Sequence, residues 1–325
     1  MAQHNGDPIS PANTNPNIQG IYYLIAGMFV LSLQNIAVRA IYEGYAVLQI
    51  VVIRSLVALP LILLFFRYEG HRGLPKTSRT WLQFLRGLTL FVAYTTYFMG
   101  LAAIPLADAA SIRFSSPLFI TFFSVFLLGE VVGIRRWGAL AVGFLGVLLI
   151  VQPGMTGFNI GSGFVFITAV LYALSAIITR RLKQTDSSAT MAYYSTLVYL
   201  GLALLIGPAL TLVGESPNTH PSLGFLFRAW ALPTLVDLSI MIALGFIWAI
   251  GIYFTAKAYS LALASVAAPF EYTTLPINVI WGFLLWQEIP IIATWLGAAL
   301  TIISSLYILY RDRLHSTPLK ATSTE

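Results

Sequence analysis

The sequence predicts an all-α integral membrane protein, with ten transmembrane helices arranged as two inverted five-helix repeats. Three observations carry this prediction: a scarcity of charge, a regular series of apolar runs, and an internal similarity between the two halves. Of the 325 residues only 9% are charged and 58% are apolar, whereas soluble globular proteins carry about 25% charged residues. So few charges cannot cover the surface of a soluble fold of this length. The composition therefore excludes a soluble enzyme.

The apolar runs are long enough to cross a bilayer, whose hydrocarbon core needs about 20 apolar residues in a helix. Residues 1–19 are predicted to be a disordered cytoplasmic tail; they contain no Lys or Arg and do not resemble a secretory signal. Residues 311–325 are predicted to be a second cytoplasmic tail. The ten predicted spans cover residues 20–40, 46–66, 80–101, 105–128, 135–152, 162–181, 190–213, 234–259, 263–286 and 291–310.

The basic residues predict the orientation, since loops on the cytoplasmic side are rich in Lys and Arg. With a cytoplasmic amino terminus, the outer loops hold only Arg39 and Arg228, and most other Lys and Arg residues fall in inner loops. Both termini are therefore predicted to be cytoplasmic. The excess of Lys and Arg residues sets the topology, and these residues are not concentrated in one tract that could bind nucleic acid.

An internal repeat divides the chain into residues 20–157 and 158–310. In the first half, Tyr97-Phe98 precedes Phe114-Ser115-Ser116-Pro117 and then Leu128-Gly129-Glu130. In the second half, Tyr253-Phe254 precedes Phe270-Glu271-Tyr272-Thr273 and then Trp286-Gln287-Glu288. An odd number of spans in each half inverts one copy relative to the other. Inverted repeats are typical of secondary transporters, which bind their solute near the membrane midplane between the repeats.

These features resemble the drug/metabolite transporter superfamily, EamA type, over about residues 20–310. The resemblance rests on ten spans in two halves and on Gly-Glu or Gln-Glu closing the fourth and ninth spans. It implies a small-solute carrier with a central cavity, and peripheral fifth and tenth spans that mediate dimer contacts in some members. The layout is similar to members that carry S-adenosylmethionine, riboflavin or amino acids.

Other chemistry is disfavoured by the residue inventory. The chain has no cysteine, which excludes disulfides and thiolate metal sites. Its four histidines, at positions 4, 71, 220 and 315, all lie outside the apolar runs, so no metal site or cofactor is predicted. No phosphate-binding loop is present. One alternative class is a membrane-embedded acyl- or prenyl-transferase, but the spans lack the metal ligands and paired carboxylates that such an enzyme uses. The other alternative class is a lipid-carrier flippase on the same scaffold.

Charged residues inside the spans are the strongest functional signal, because each is costly in the membrane unless it is paired or faces water. Arg54, Arg113 and Glu271 are predicted near the midplane, and Arg86 nearer the cytoplasmic end of its span. Arg113 and Glu271 occupy nearly equivalent positions of the two repeats. We expect them to meet as a substrate-binding or gating pair; the alternative is a structural salt bridge. For Arg86 the alternative is extension to the cytoplasmic interface.

Polar faces on several spans predict a cavity, since such faces must contact protein or water. Glu271, Thr274 and Asn278 share one face of the ninth span, and Gln34 and Asn35 lie on the first. The third and sixth spans carry further stripes. These comprise Arg86, Thr89, Ala93, Thr96 and Gly100 on the third span, and Thr168, Tyr172, Ser175 and Thr179 on the sixth.

Prolines and aromatic residues complete the candidate site. Pro117, Pro269 and Pro276 are predicted to interrupt the spans that carry Arg113 and Glu271 and to act as hinges. Trp248 and Trp281 are deep enough in their spans to stack on a planar substrate.

Two features have interpretations that need no substrate. Glu130 and Glu288 are predicted to cap the helix that follows each of them, with proton coupling as the alternative. Spans 5 and 10 carry small residues at helical spacing, which pack either within the chain or as a homodimer interface. These small residues are Ala139, Gly143 and Gly146 on span 5, and Ala293, Gly297, Thr301 and Ser305 on span 10.

The predicted function is gradient-driven transport of a small organic metabolite by alternating access. Three buried arginines to one glutamate favour an anionic or zwitterionic solute, such as an amino acid or S-adenosylmethionine. A riboflavin-type vitamin is the alternative on the same fold. Coupling to protons through Glu271, or movement of the solute down its own gradient, both stay open. Membrane lipid is the other expected partner, and a bacterial inner membrane the expected location.

Overall fold

A computed structural model describes residues 16–129, 134–151, 159–214, 220–261 and 268–315. Within these residues the regular structure is entirely helical, without a strand, which confirms the predicted fold class at that level. The helices are α1 (Pro16–Ile41), α2 (Val47–Tyr68), α3 (Thr80–Leu101), α4 (Leu106–Arg113), α5 (Ser116–Leu128), α6 (Ile134–Val151), α7 (Ile160–Leu182), α8 (Ser188–Val213), α9 (Pro221–Phe227), α10 (Leu235–Leu261), a 3₁₀ segment (Ala268–Thr273), α11 (Thr274–Trp286) and α12 (Ile292–His315).

Helices cover all ten predicted spans in the described residues, and α9 is an additional short helix that the sequence pattern did not predict. In the part of the chain that the structure describes, six helical stretches are long and apolar enough to cross a membrane, one of them being α4 and α5 taken together. That all ten segments cross stays a prediction. Helix α1 begins at Pro16 and α12 continues to His315, so each helix extends into residues that were predicted as a tail. The rest of each tail lies outside the described residues.

The fourth and ninth predicted spans are each built from two pieces. Between α4 and α5 the break falls just before Pro117, the second residue of α5, where a proline lacking its N–H is well tolerated. In the ninth span the 3₁₀ segment contains Pro269 and gives way to α11, which has Pro276 in its first turn. The chain is therefore irregular next to both Arg113 and Glu271.

The helix pairs join the two halves of the chain. Helix α1 packs along α10, and α3 packs along α7. Helix α2 packs against α8 and α10, while α3 also packs against α8. Helix α6 packs along α12, and α4 packs against α11. Most close pairs thus consist of one helix from residues 20–157 and one from residues 158–310.

Small residues allow α6 and α12 to approach closely within one chain. A Cβ built on Gly146 would lie 2.7 Å from the carbonyl oxygen of Gly297. The Thr301 hydroxyl donates to the Gly143 carbonyl at 3.3 Å, and the Ser304 hydroxyl donates to the Ala139 carbonyl. The small faces of these spans are therefore already occupied, so a homodimer through the same helices would have to use their other faces.

The polar stripes of α3 and α7 pack against each other and do not line a cavity as predicted. The Thr168 hydroxyl donates to the Ala93 carbonyl at 2.9 Å and lies 2.9 Å from the Thr96 hydroxyl. A Cβ built on Gly100 would lie 2.9 Å from the Gly161 carbonyl oxygen. The threonine hydroxyls of these stripes donate to backbone carbonyls across or within the helix pair, which makes them structural. Tyr172 is the exception.

Candidate substrate site

A cavity lies between the two halves at the level of the broken helices. In this conformation its volume is about 20 Å³, room for about one water molecule, so a solute enters only when the helices move apart. The first half contributes residues from α1, α3, α4 and α5, and the second half contributes residues from α7, the 3₁₀ segment and α11. Its lining residues are Met28, Tyr97, Ala110, Arg113, Phe114, Ser116, Tyr172, Glu271 and Thr274.

Arg113 occupies the cavity wall inside a cage of tyrosine rings. Its guanidinium carbon lies 5.2 Å from the centre of the Tyr172 ring, 5.5 Å from that of Tyr97 and 6.0 Å from that of Tyr94. At these distances the negative ring faces attract the cation. Arg113 is the last residue of α4, so the break before Ser116 allows its side chain to leave the helix end and enter the cavity.

Glu271 lines the same cavity from the second half, together with Thr274 at the start of α11. Glu271 interacts electrostatically with Arg113. The two charges predicted to meet therefore do share one cavity, and the half-buried carboxylate and guanidinium offer opposite charges to its interior. The predicted continuous face through Glu271, Thr274 and Asn278 is interrupted, because Glu271 precedes α11 in the 3₁₀ segment.

Asn35 and Asn278 form a buried bridge beside the cavity. The Asn35 amide donates to the Asn278 carbonyl oxygen at 3.2 Å, which joins α1 to α11. Tyr97, which lines the cavity, lies near Asn35 and Arg113. Asn35 and Asn278 therefore support the wall of the cavity and are not among its lining residues.

Arg54, Gln34 and Trp248 lie together away from the cavity lining. Arg54 is fully buried, and its Nη1 donates to Oε1 of Gln34 at 3.4 Å. Its guanidinium carbon lies 4.4 Å from the centre of the Trp248 ring. The Trp248 indole N–H in turn donates to the Thr196 hydroxyl at 3.1 Å. Trp248 is thus part of the wall around Arg54 in this conformation.

Arg86 fastens α3 to two helices of the second half. Its Nε donates to the Thr179 hydroxyl at 2.7 Å, and its Nη1 donates to the Met191 carbonyl at 3.0 Å and to the Ser195 hydroxyl. The side chain is buried and points toward α7 and α8. These acceptors hold the side chain inside the bundle.

The structure separates the predicted site residues into groups. Of the residues predicted from the sequence to bind or gate the substrate, Arg113, Glu271 and Thr274 line the cavity, and the others are not among its lining residues. Trp281 is one of these others, and its indole N–H donates to the Ser32 hydroxyl at 3.2 Å. Tyr172 was predicted only as part of a stripe, and no sequence signal distinguished it from the structural threonines on the same helix.

Glu288 does not cap the helix that follows it. Its carboxylate forms an ion pair with Arg39 at the end of α1, and its Oε2 accepts a hydrogen bond at 3.1 Å from the backbone N–H of Leu106, the first residue of α4. Gln287, just before it, has a left-handed backbone with φ of 57°, which is uncommon for a residue other than glycine. Glu130 lies outside the described residues.

Comparison with known proteins places this architecture in a family. Residues 18–152 match the EamA-like transporter family. The riboflavin transporter of Vibrio cholerae is 30% identical over 90% of this chain and 93% of its own length. The chain belongs to the EamA-like transporter family. It is therefore an integral membrane transporter protein, of a kind found in bacterial inner membranes, and not an enzyme.

Other relatives are named for different solutes. An S-adenosylmethionine uptake transporter of Rickettsia prowazekii is 26% identical over 91% of this chain and 94% of its own. A pseudopaline exporter of Pseudomonas aeruginosa is 25% identical over 88% and 94%. A solved crystal structure with 18% identity superposes with a TM-score of 0.61 over 93% of this chain and 99% of its own, a likeness of fold alone.

Proposed function

We propose that this EamA-like protein is a gradient-driven transporter of a small zwitterionic or anionic metabolite, which binds between Arg113 and Glu271. The observation that carries the proposal is that one cavity receives a cation from the first half and a carboxylate from the second. Opposite charges in a water-poor site favour a solute that presents a carboxylate and a cationic centre a few ångströms apart. Amino acids and S-adenosylmethionine have this chemistry.

The tyrosines around Arg113 add to this selectivity. Tyr97 and Tyr172 line the same cavity, and aromatic rings at such a site contact the apolar parts of a solute. A relative at 26% identity is named as an S-adenosylmethionine uptake transporter. S-adenosylmethionine has both an amino acid head group and a sulfonium, which supports a solute of this kind.

Alternating access is the proposed mechanism, with the two halves as inverted repeats. If the two halves are exchanged, α1 corresponds to α7, α2 to α8, α3 to α10 and α6 to α12. The pair α1–α10 then becomes α7–α3, and the pair α2–α10 becomes α8–α3. Each of these four pairs is in contact. The pairs α2–α8 and α6–α12 map onto themselves. This pattern is what a pseudo-two-fold axis in the membrane plane requires. Ten spans and two cytoplasmic termini follow from the basic residues, as predicted from the sequence.

A riboflavin-type solute is the alternative. The 30% identity to the riboflavin transporter of Vibrio cholerae and the tyrosines of the cavity favour a planar aromatic ligand. A neutral ring system leaves the charges of Arg113 and Glu271 without a partner in the solute, which favours the zwitterion.

The first test is a thermal-shift screen of the purified protein, since a ligand that binds only the folded state raises its melting temperature. The panel contains S-adenosylmethionine, riboflavin and the common amino acids. We expect a zwitterion to stabilise the wild type and to lose this effect in Arg113→Ala, whereas Arg72→Ala, which changes an exposed loop arginine, keeps it. Stabilisation by riboflavin alone would select the alternative.

Proton coupling through Glu271 has its own test. Uptake into proteoliposomes is measured against external pH for the wild type and for Glu271→Gln. If Glu271 carries the proton, the variant loses the pH dependence. The exposed Glu43 gives the matched control, Glu43→Gln, which keeps it. Unchanged pH dependence in Glu271→Gln would leave the solute moving down its own gradient.

A further inference from the structure

Three arginines lie inside the bundle, and their surroundings differ. The Arg86 guanidinium donates from Nε and Nη1 to three oxygens. Arg113 faces the cavity among tyrosines and interacts with Glu271. Arg54 has neither arrangement: it is fully buried, and its one hydrogen bond to a described residue is the long contact of 3.4 Å from Nη1 to Gln34. Its charge therefore stands out as the one without a matching acceptor in the described part of the chain.

The unmatched groups on Arg54 are hydrogen-bond donors. Both Nε and Nη2 are buried and lack an acceptor among the described residues. Leaving a buried charged donor unsatisfied is costly, because water no longer solvates it. The neighbouring hydroxyl of Tyr199 is also buried without a partner there. Three polar groups that can donate thus lie together where no oxygen of a described residue receives them.

Aromatic rings enclose this donor cluster. The guanidinium carbon of Arg54 lies 4.4 Å from the centre of the Trp248 ring, 5.4 Å from that of Tyr199 and 5.5 Å from that of Phe98. The ring faces stabilise the positive charge. These three rings, of Trp248, Tyr199 and Phe98, form a box that holds the cation in place. They supply no lone pair directed at Nε and Nη2, so the box does not satisfy the hydrogen bonds of these two atoms.

The box adjoins the cavity through one shared ring. Tyr94 lies 6.0 Å from the Arg113 guanidinium carbon on one side, and on the other its ring centre is 5.0 Å from that of Trp248. Tyr94 and Trp248 therefore form a thin aromatic wall between Arg113 and Arg54. A solute bound at Arg113 is separated from the second guanidinium by these two side chains.

We propose that Arg54, with Tyr199, forms an anion subsite that receives a small anionic group beyond the Tyr94–Trp248 wall. A planar guanidinium with two free N–H groups is suited to bidentate binding of a carboxylate. The source is either the carboxylate of the transported solute, in which case the subsite rests on the proposed function, or a small inorganic anion such as a halide. Both share one chemistry: a compact monovalent acceptor.

Access to the subsite follows from the helices that carry it. Arg54 belongs to α2, which packs on α8 with Tyr199 and on α10 with Trp248. These contacts cross between the two halves. The rocking of the halves that alternating access requires therefore opens the box, and the anion enters at that stage of the cycle.

Trp248 supplies a direct reporter, because it is fully buried against Arg54. Iodide quenches indole fluorescence on contact, so iodide bound at the subsite gives a saturable component. Exposed tryptophans such as Trp81 and Trp295 give quenching that rises linearly. The purified full chain in detergent is titrated with sodium iodide at constant ionic strength, and Trp248→Phe identifies the saturable component.

Sodium acetate is the second probe, with acetamide as its neutral isostere. Binding of acetate is measured as displacement of iodide and as a rise in the melting temperature of the protein. We expect Arg54→Gln to weaken binding of the effective anion by at least about 10-fold, the loss of a charge-assisted hydrogen bond. Arg86→Lys, which changes a buried arginine with satisfied donors, keeps the binding.

The outcomes separate the sources. Saturable quenching by iodide that depends on Arg54 supports an inorganic anion, whereas stabilisation by acetate without an iodide effect supports the solute carboxylate. Absence of both in the wild type, or equal binding in Arg54→Gln, overturns the subsite. If Arg54→Gln does not fold, Arg54→Lys takes its place; it loses the fork geometry, and unchanged affinity there overturns the proposal. These equilibrium readouts need no transport, so failure of the proposed function is scored separately.

Discussion

Glu288 forms an ion pair with Arg39, which fastens the end of α1 to the turn between α11 and α12. The same carboxylate accepts the backbone N–H of Leu106, at the amino end of the helix that carries Arg113. The ring of Trp286 lies 4.9 Å from the Arg39 guanidinium carbon on the same side. One acidic side chain thus joins elements of both halves at what we propose is the outer end of the bundle.

Neutralising Glu288 is expected to open that end. Glu288→Gln removes the charge that binds Arg39, and a loss of about 1 kcal/mol shifts a two-state equilibrium by about fivefold. Because the chain has no cysteine, a single Met28→Cys substitution in the cavity lining reports access. Labelling by a membrane-impermeant maleimide from outside should rise by that factor, and Glu43→Gln in the same background should leave it unchanged. Equal labelling in all three proteins contradicts a gate at Glu288.

The ring of Tyr172 is expected to matter more than its hydroxyl. Tyr172→Phe keeps the face that lies 5.2 Å from Arg113, whereas Tyr172→Leu loses a cation–π contact of about 2 kcal/mol. We expect kcat/KM for uptake to fall by about 10-fold or more in the leucine variant and to change little in the phenylalanine variant. Tyr68→Leu, at an exposed tyrosine, is the control. Equal loss in Tyr172→Phe would assign the effect to the hydroxyl instead.

Arg86 is expected to contribute to stability. Arg86→Gln leaves the acceptors on α7 and α8 without their donor, at a cost of about 2–4 kcal/mol. Thermal unfolding in detergent should therefore occur at a clearly lower temperature than in the wild type, while Arg72→Gln unfolds as the wild type does. A wild-type melting temperature in Arg86→Gln would show that its hydrogen bonds are dispensable.

The contact between α6 and α12 gives a matched pair of glycine variants. Gly146→Leu forces a side chain into the backbone of α12, and overpacking costs about 1–3 kcal/mol. Gly138, on the same helix, has open space where a Cβ would lie, so Gly138→Leu should be neutral. Because the contact is within one chain, the melting temperature of Gly146→Leu should be lower and independent of protein concentration. A concentration-dependent difference would indicate an interface between copies.

Sequence patterns predicted the helical segments well, because apolar length and the scarcity of charge depend little on tertiary context. They also predicted that Arg113 and Glu271 lie close together, and both residues line one cavity. The helix ends were less accurate: α1 starts earlier and α12 ends later than predicted, as polar residues also continue a helix beyond the membrane.

Partners of individual polar residues could not be predicted from spacing. Thr168 and Thr274 both lie on polar faces, yet one closes the α3–α7 contact and the other lines the cavity. Which face of a helix meets its neighbour depends on the rotation of both helices, which no single span encodes. The same reason explains why Glu288 was assigned to the helix after it, when its partners are distant in sequence.

The most direct test of a substrate site between Arg113 and Glu271 is the initial rate of solute uptake into proteoliposomes. The solute that stabilises the purified protein is used, with Arg113→Gln compared with Arg72→Gln at equal protein content. We predict that uptake falls to the level of empty liposomes in Arg113→Gln and stays at the wild-type rate in Arg72→Gln. Wild-type uptake by Arg113→Gln would contradict the assignment of the cavity as the substrate site.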